Sequence, residues 1–405
     1  MTATRQNSIT TPLYETNNFF NWAALYLASF LFMGNLFAAV AIFPAYSLAI
    51  GSSAFQAGLQ STAFAVASVA LRFLLGPLLD RQGPKPLMLV GIFTFATSPL
   101  LLILMPSYSM LLAMRVYHAL GLAVVLPGIS TTVAGMAPVG KIGSYLGVTR
   151  IFFNLGLLAG PSAALYLIEN NGYNSWFIVS AIISTVSLAA MAVVKVPLPA
   201  KPAEGIKTGN SLLQLKEALS VKLVYPIIGG IAVYSFAYSA VISFAAVYIE
   251  TTTQHGDGPL FFIILGLAGI TSCLSVGTLS DRFGRSRVGW PMLAVLGLGA
   301  VIFYFLPTWP AILYVCAVIL GIGIQGSSLT LTAWLIDVSH PALRATTISM
   351  QENTIDIFFA IGALTFGLAA DGPGLDIAFL VTGILTIILI FPLSKACRKI
   401  CRQAR

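Results

Sequence analysis

Charge is what this chain most lacks. Only 8% of its 405 residues are Asp, Glu, Lys or Arg, against about 25% in soluble domains. It holds 13 acidic residues and three histidines, too few and too scattered for clustered acid–base or metal chemistry. The four cysteines, Cys273, Cys316, Cys397 and Cys401, have no metal-ligand spacing. Cys397 and Cys401 stand one helical turn apart in a basic tail. No phosphate loop, dinucleotide fingerprint or His-Glu-x-x-His occurs. We therefore expect no enzyme, no built-in ATPase, no catalytic residue, no metal and no cofactor. A soluble basic surface is missing too, which argues against a nucleic-acid partner despite a net charge of +8.

What the chain does have is apolar length. It is 58% apolar, with a mean hydropathy of +0.91. A membrane-spanning helix needs roughly 20 mostly apolar residues. Twelve runs qualify: 20–48, 52–79, 87–105, 109–136, 142–168, 174–195, 223–249, 259–280, 288–306, 309–336, 342–369 and 374–395. These predict an all-α membrane protein whose first partner is the lipid bilayer. The first run follows a polar segment and is too long for a signal-peptide core, so we expect it to remain in the protein.

Lys and Arg in short loops set membrane orientation. Three of the 21 basic residues, Arg72, Arg115 and Arg150, fall inside apolar runs. The other 18 map to one side of the predicted topology, the side of both termini. The opposite loops carry Glu169, Glu250, His255, Asp257, Asp371 and Asp376 instead. This asymmetry predicts a multi-pass protein of the inner (plasma) membrane with both termini cytoplasmic.

The chain also repeats itself. Residues 76–83 read Gly-Pro-Leu-Leu-Asp-Arg-Gln-Gly, and residues 277–284 read Gly-Thr-Leu-Ser-Asp-Arg-Phe-Gly, 201 positions later. Each copy ends an apolar run and opens a basic turn. Residues 1–195 and 223–405 hold six runs each, the second half ending in the basic tail, and 196–222 join them. The joining segment opens with Pro197, Pro199 and Pro202, as a loop does. Further on, Leu212, Leu215 and Leu219 share a helical face behind Ser211. That pattern fits a short amphipathic helix on the inner leaflet or a plain solvated linker.

Twelve spans in two halves, with Gly-x-x-x-Asp-Arg-x-Gly after spans 2 and 8, resemble the major facilitator superfamily over the whole chain. The resemblance implies two pseudo-symmetric six-helix bundles, a substrate cavity between them at mid-membrane, and alternating access. It assigns Gly76, Asp80, Arg81, Gly83, Gly277, Asp281, Arg282 and Gly284 to a gate. Gly76 and Gly277 allow a neighbouring helix to come close. Asp80 and Asp281, at the inner ends of their spans, can meet an arginine or a helix N-terminus in one transport state. A mere topology anchor is the plainer alternative.

In span 5, Gly147, Gly156, Gly160 and Pro161 are spaced as in the antiporter motif of proton-coupled drug and metabolite exporters. In that group the glycines are thought to seal the face between the bundles. Residues 350–364 of span 11 lack the pattern, an asymmetry suited to an exporter. Ordinary helix packing is the alternative, and Pro161 favours a kink. In span 4, Arg115-Val116-Tyr117-His118-Ala119-Leu120-Gly121 resembles a stretch of the arabinose-efflux-permease-like exporters. That likeness implies that Arg115 assists proton coupling. Arg72, eight residues before Asp80, fits the same subgroup.

Arg72, Arg115, Arg150, Glu352 and Asp356 lie well inside spans, with His118 beside them. A charge at the bilayer centre costs roughly 2.5–3.5 kcal/mol on insertion scales, so these residues must face one another, carbonyls or a wet cavity. Glu352 and Asp356 are one turn apart and repel, which makes either a candidate carrier of a coupling proton. A permanent ion pair between span 11 and Arg150 or Arg115 is the alternative. Arg115 and His118 share a face and are further coupling candidates. Cavity candidates are Asn35, Arg72, Arg150, Asn154, Tyr234, Tyr238, Phe244 and Gln325. The five membrane charges sum to +1, which suits an anionic or zwitterionic small molecule.

These observations predict proton-coupled efflux of a small organic molecule, drug-like or an endogenous metabolite such as a metallophore, by a monomer exchanging protons. Proton-coupled uptake of an organic anion or sugar is the runner-up. A non-transporting sensor or lipid-handling protein is a third reading.

Overall fold

The computed structural model describes residues 19–138, 142–196, 219–253, 257–339 and 344–403. Among them are twelve helices: α1 (Phe19–Ala49), α2 (Ala54–Gln82), α3 (Pro84–Leu104), α4 (Tyr108–Met136), α5 (Ile142–Asn171), α6 (Tyr173–Val193), α7 (Val224–Thr252), α8 (Asp257–Phe283), α9 (Arg285–Phe303), α10 (Ile312–Val338), α11 (Arg344–Asp371) and α12 (Leu375–Gln403). All twelve are long and apolar enough to cross a membrane. The predicted amphipathic segment, residues 210–219, lies outside the described residues except for Leu219.

Local chemistry sets several helix ends. Ser53 opens α2 with a capping box: its Oγ accepts from the Gln56 backbone at 3.2 Å, and Gln56 Oε1 accepts from the Ser53 backbone at 3.0 Å. A single glycine joins α2 to α3 and another joins α8 to α9. Gly83 has φ 81° and Gly284 has φ 95°, a region that costs glycine little and other residues more. These are the last residues of the two Asp-Arg-x-Gly copies, so the backbone gives that position its reason. At the other end of the chain, α12 runs to Gln403, past the predicted limit of 395. The basic tail is therefore largely helix, with Cys397 buried and Cys401 exposed.

Helix packing repeats with an offset of six. In the first half α1 packs on α5 and α6, α3 on α4 and α6, and α2 on α4. In the second half α7 packs on α11 and α12, α9 on α10 and α12, and α8 on α10. The two bundles meet along α2–α11, α5–α8 and α1–α7, pairs that a two-fold exchange maps onto one another.

The seams are tightest toward the end holding the α1–α2 turn, called here the acidic face. A Cβ on Gly58 would overlap the Ala363 carbonyl, and one on Gly367 would sit 2.7 Å from the Ala54 carbonyl. A Cβ on Gly266 of α8 would overlap Leu158 of α5. Asp371, the last residue of α11, accepts the backbone N–H groups of Ala54 at 3.0 Å and Phe55 at 2.8 Å. One bundle thus caps the start of a helix in the other, where an anion is favoured. Thr62 Oγ1 donates to the Ala360 carbonyl at 2.9 Å, one step further in.

Candidate functional site: a polar cavity between the bundles

Below that seal lies a cavity of about 220 Å³ walled by both bundles. Its lining includes Arg150 and Asn154 from α5, Tyr234 and Tyr238 from α7, Gln325 from α10, and Glu352 and Asp356 from α11. Seven of the residues chosen from the sequence thus share one space.

Its charges are paired across the bundles. Arg72, chosen as a cavity residue, is not itself in the lining; its Nη2 meets the lining residue Asp356 at Oδ2, 2.8 Å away, with side chains only 15% and 12% exposed. Arg72 Nη1 also donates to Asn353 Oδ1 at 3.1 Å. The second pair is looser: Arg150 Nη2 stands 3.8 Å from Glu352 Oε1, and the Arg150 side chain is 57% exposed. At 3.8 Å this is attraction without a hydrogen bond. Of the two arginines the sequence had offered to span 11, Arg150 stands near Glu352 and Arg115 is sealed away, while Asp356 pairs with Arg72. The spacing that put both carboxylates on one face of α11 holds, and each meets a different arginine of the first bundle.

The remaining walls are aromatic and weakly polar. Tyr234 and Tyr238 stack at 5.5 Å, and Phe359 stands edge-on to Tyr238 at 5.9 Å. Asn154 Nδ2 donates to Cys273 Sγ at 3.4 Å, another link between bundles. Gln351 Nε2 donates to Thr332 Oγ1 at 2.7 Å. Gln351, Asn353, Thr332 and Cys273 escaped the sequence reading. The signal for the first two was a polar run, 351–353, in the middle of an apolar span.

Several expected site residues lie elsewhere. Asn35 is no cavity residue: it bonds Ser184 Oγ at 2.5 Å and accepts from Ser180 Oγ at 2.7 Å, tying α1 to α6. Phe244 is buried among aromatics, 5.9 Å from Phe366. Arg115 and His118 are sealed inside the first bundle, 0% and 1% exposed. His118 stacks on Phe95 at 3.9 Å and its Nε2 bonds Ser98 Oγ.

The motif glycines also divide. Cβ atoms on Gly156 and Gly160 would collide with Gly34 of α1. They seat α5 on its own bundle, and do not seal the face between bundles as the resemblance implied. Gly147 is exposed with nothing within 4 Å of its Cβ position. Pro161 is buried, and α5 continues as one helix through it. At Gly277 a Cβ would meet Leu329 at 3.5 Å, an ordinary contact, so close approach is not its role here. Asp281 meets Arg285 at 2.5 Å, and Arg285 Nε reaches Asp337 Oδ2 at 2.8 Å, joining α8, α9 and α10 within one bundle. Arg282 is exposed, its guanidinium 5.5 Å from the Phe283 ring. The side chains of Asp80 and Arg81, and the surroundings of Gly76, lie outside the described residues.

Comparison with known proteins follows the same lines. The family model described as Major Facilitator Superfamily matches residues 25–327 and 260–398. An MFS-type transporter of Methanocaldococcus jannaschii is 24% identical over 361 residues, covering 85% of this chain and 89% of the relative. The multidrug transporter MdfA of Yersinia pestis is 25% identical over 347 residues, covering 81% and 82%. The quinolone resistance protein NorA of Staphylococcus aureus is 22% identical over 279 residues, covering 66% and 70%. Among solved structures, the nucleoside transporter NupG superposes with a TM-score of 0.79 at 13% identity, over 93% of this chain and 99% of that one. A bacterial homologue of the lysosomal transporter Spinster, inward-facing and unoccupied, gives 0.76 at 15% identity, over 96% and 99%.

Proposed function

The chain belongs to the major facilitator superfamily, and from that premise we propose that it exports a small organic anion or zwitterion in exchange for protons. The observation that carries this reading is the Arg72–Asp356 pair, which bridges the bundles at the cavity wall. Empty and deprotonated, the pair holds α2 against α11. A proton on Asp356 removes its charge and loosens the hold. An anionic substrate lying on Arg150 competes with Glu352, whose 3.8 Å contact is readily exchanged. Each event releases one of the two ion contacts between the bundles, and the empty, deprotonated carrier, which keeps both, stays locked.

Export rather than uptake is supported by the likeness to MdfA and NorA, named for multidrug transport and quinolone resistance. We assign the Asp-Arg-x-Gly turns to the cytoplasmic side of a plasma membrane, a reading supported by the basic loops. On that orientation the sealed acidic face looks outward and the cavity is loaded from inside. In the opposite state the Asp-Arg-x-Gly turns close the inner side. One chain supplies both bundles, so a monomer suffices.

The test compares small molecules inside and outside cells making wild-type protein or Asp356→Asn. A compound enriched in the medium only with wild type supports export and identifies the substrate. Enrichment inside the cells reverses the direction to uptake.

A further inference from the structure

The first bundle holds a cation that the central cavity does not use. Arg115 on α4 is 0% exposed, and its Nε, Nη1 and Nη2 have no hydrogen-bond partner among the described residues. The membrane carboxylates are engaged elsewhere, Asp356 by Arg72 and Glu352 near Arg150. Rings surround the guanidinium instead: Phe64 at 4.0 Å and Phe43 at 5.3 Å from their centroids. Ring faces recover part of the lost hydration of a cation. They do not offset the burial of a whole charge with five unanswered N–H groups. A guanidinium keeps its proton, so the charge is not shed. A counter-anion resolves the imbalance.

Two neighbours make the place fit an anion. His118, one helical turn along, has its Nε2 bonded to Ser98 Oγ and its Nδ1 unpartnered. When Nε2 accepts from the serine, Nδ1 carries the proton and offers a further donor. Phe64 faces the guanidinium and also lines the central cavity. The Phe64 ring is therefore shared by the buried cation and the wall of the transport path.

We propose that Arg115, with His118 beside it, is a binding site for a monovalent anion, a carboxylate or a halide, entered from the central cavity when Phe64 swings aside. The anion is either the carboxylate of a transported molecule or a free inorganic ion. The site does not depend on the direction of transport.

The test uses the purified full chain in lipid nanodiscs and halide-free buffer, titrated with sodium bromide, benzoate or neutral benzamide while thermal unfolding is followed. The expected result is saturable stabilisation by benzoate, bromide or both, and none by benzamide. Phe64→Ala lowers the half-saturating concentration about tenfold, the equivalent of 1.4 kcal/mol. Phe64→Trp raises it, and Arg115→Met abolishes this Phe64-dependent response. Saturation by bromide alone marks an inorganic anion, and saturation by benzoate marks a substrate carboxylate; both support the site. If Arg115→Met does not fold, the opposite shifts of the two Phe64 variants carry the test. A response indifferent to Phe64, kept in full by a folded Arg115→Met, or absent throughout overturns the proposal.

Discussion

Arg72 of α2 and Asp356 of α11 meet at 2.8 Å across the seam between the two halves of the chain. Both side chains are largely withdrawn from solvent, so the pair is a strong but conditional link. Its attraction holds only while both charges persist, and losing one leaves a buried charge uncompensated.

Removing either partner alone is therefore costly. Arg72→Gln or Asp356→Asn is expected to destabilise this state by about 3–5 kcal/mol, the range for one-sided loss of a buried pair. The double variant recovers a large part of that, because the two positions share one interaction. Thermal unfolding of the four proteins measures the non-additivity. Additive losses would show that the pair is not a functional unit.

Arg150 is the exposed cation of the cavity, and Glu352 binds it weakly. Arg150→Gln is expected to raise KM about tenfold or more for an anionic substrate, the scale of one lost charge-assisted hydrogen bond, with a smaller effect on maximal rate. Transport titrations on the substrate found by the cell comparison provide the check.

The antiporter-like glycines should behave unequally. A Cβ at Gly160 meets the Gly34 backbone, while one at Gly147 meets nothing within 4 Å. Gly160→Ala is expected to cost roughly 1–3 kcal/mol of stability through overpacking. Gly147→Ala stays within about 0.5 kcal/mol, as exposed substitutions usually do. Expression yield and thermal unfolding of the two variants decide whether helix seating is the role of Gly160.

These contrasts show what the sequence could and could not reveal. Hydropathy located all twelve helices, because length and apolar composition are local properties. The turns at the two Asp-Arg-x-Gly copies were legible too, as the ends of apolar runs, while the left-handed backbone of Gly83 and Gly284 came only with the structure. The faces of the helices were not. A span that is apolar all round gives no periodic signal for which side meets lipid, cavity or neighbour. Asn35 and Phe244 therefore looked like cavity residues and prove to be packing residues. Arg72 as the partner of Asp356 depends on the α2–α11 juxtaposition, which pairs residues 284 positions apart and leaves no local trace.

Asp371 should act as a latch on the acidic face. Its carboxylate caps α2 through Ala54 and Phe55. An exposed anion at a helix N-terminus contributes about 0.3–1 kcal/mol, so Asp371→Asn should open the seam about two- to fivefold more often. A cysteine introduced at Thr62 in a background lacking the native cysteines reports this by its labelling rate with an impermeant maleimide. An unchanged rate would show that the glycine contacts alone hold the seal.

The most direct test of the account asks whether protonating Asp356 releases the bundles. Spin labels at Ser52 and Leu375, on opposite bundles at the acidic face, report their separation by pulsed electron resonance in nanodiscs. The account predicts that acidification lengthens this distance in the wild type, and that Asp356→Asn is already long at neutral pH and insensitive to acid. A wild-type distance unmoved by pH, or an Asp356→Asn protein that still responds to acid like the wild type, would contradict it.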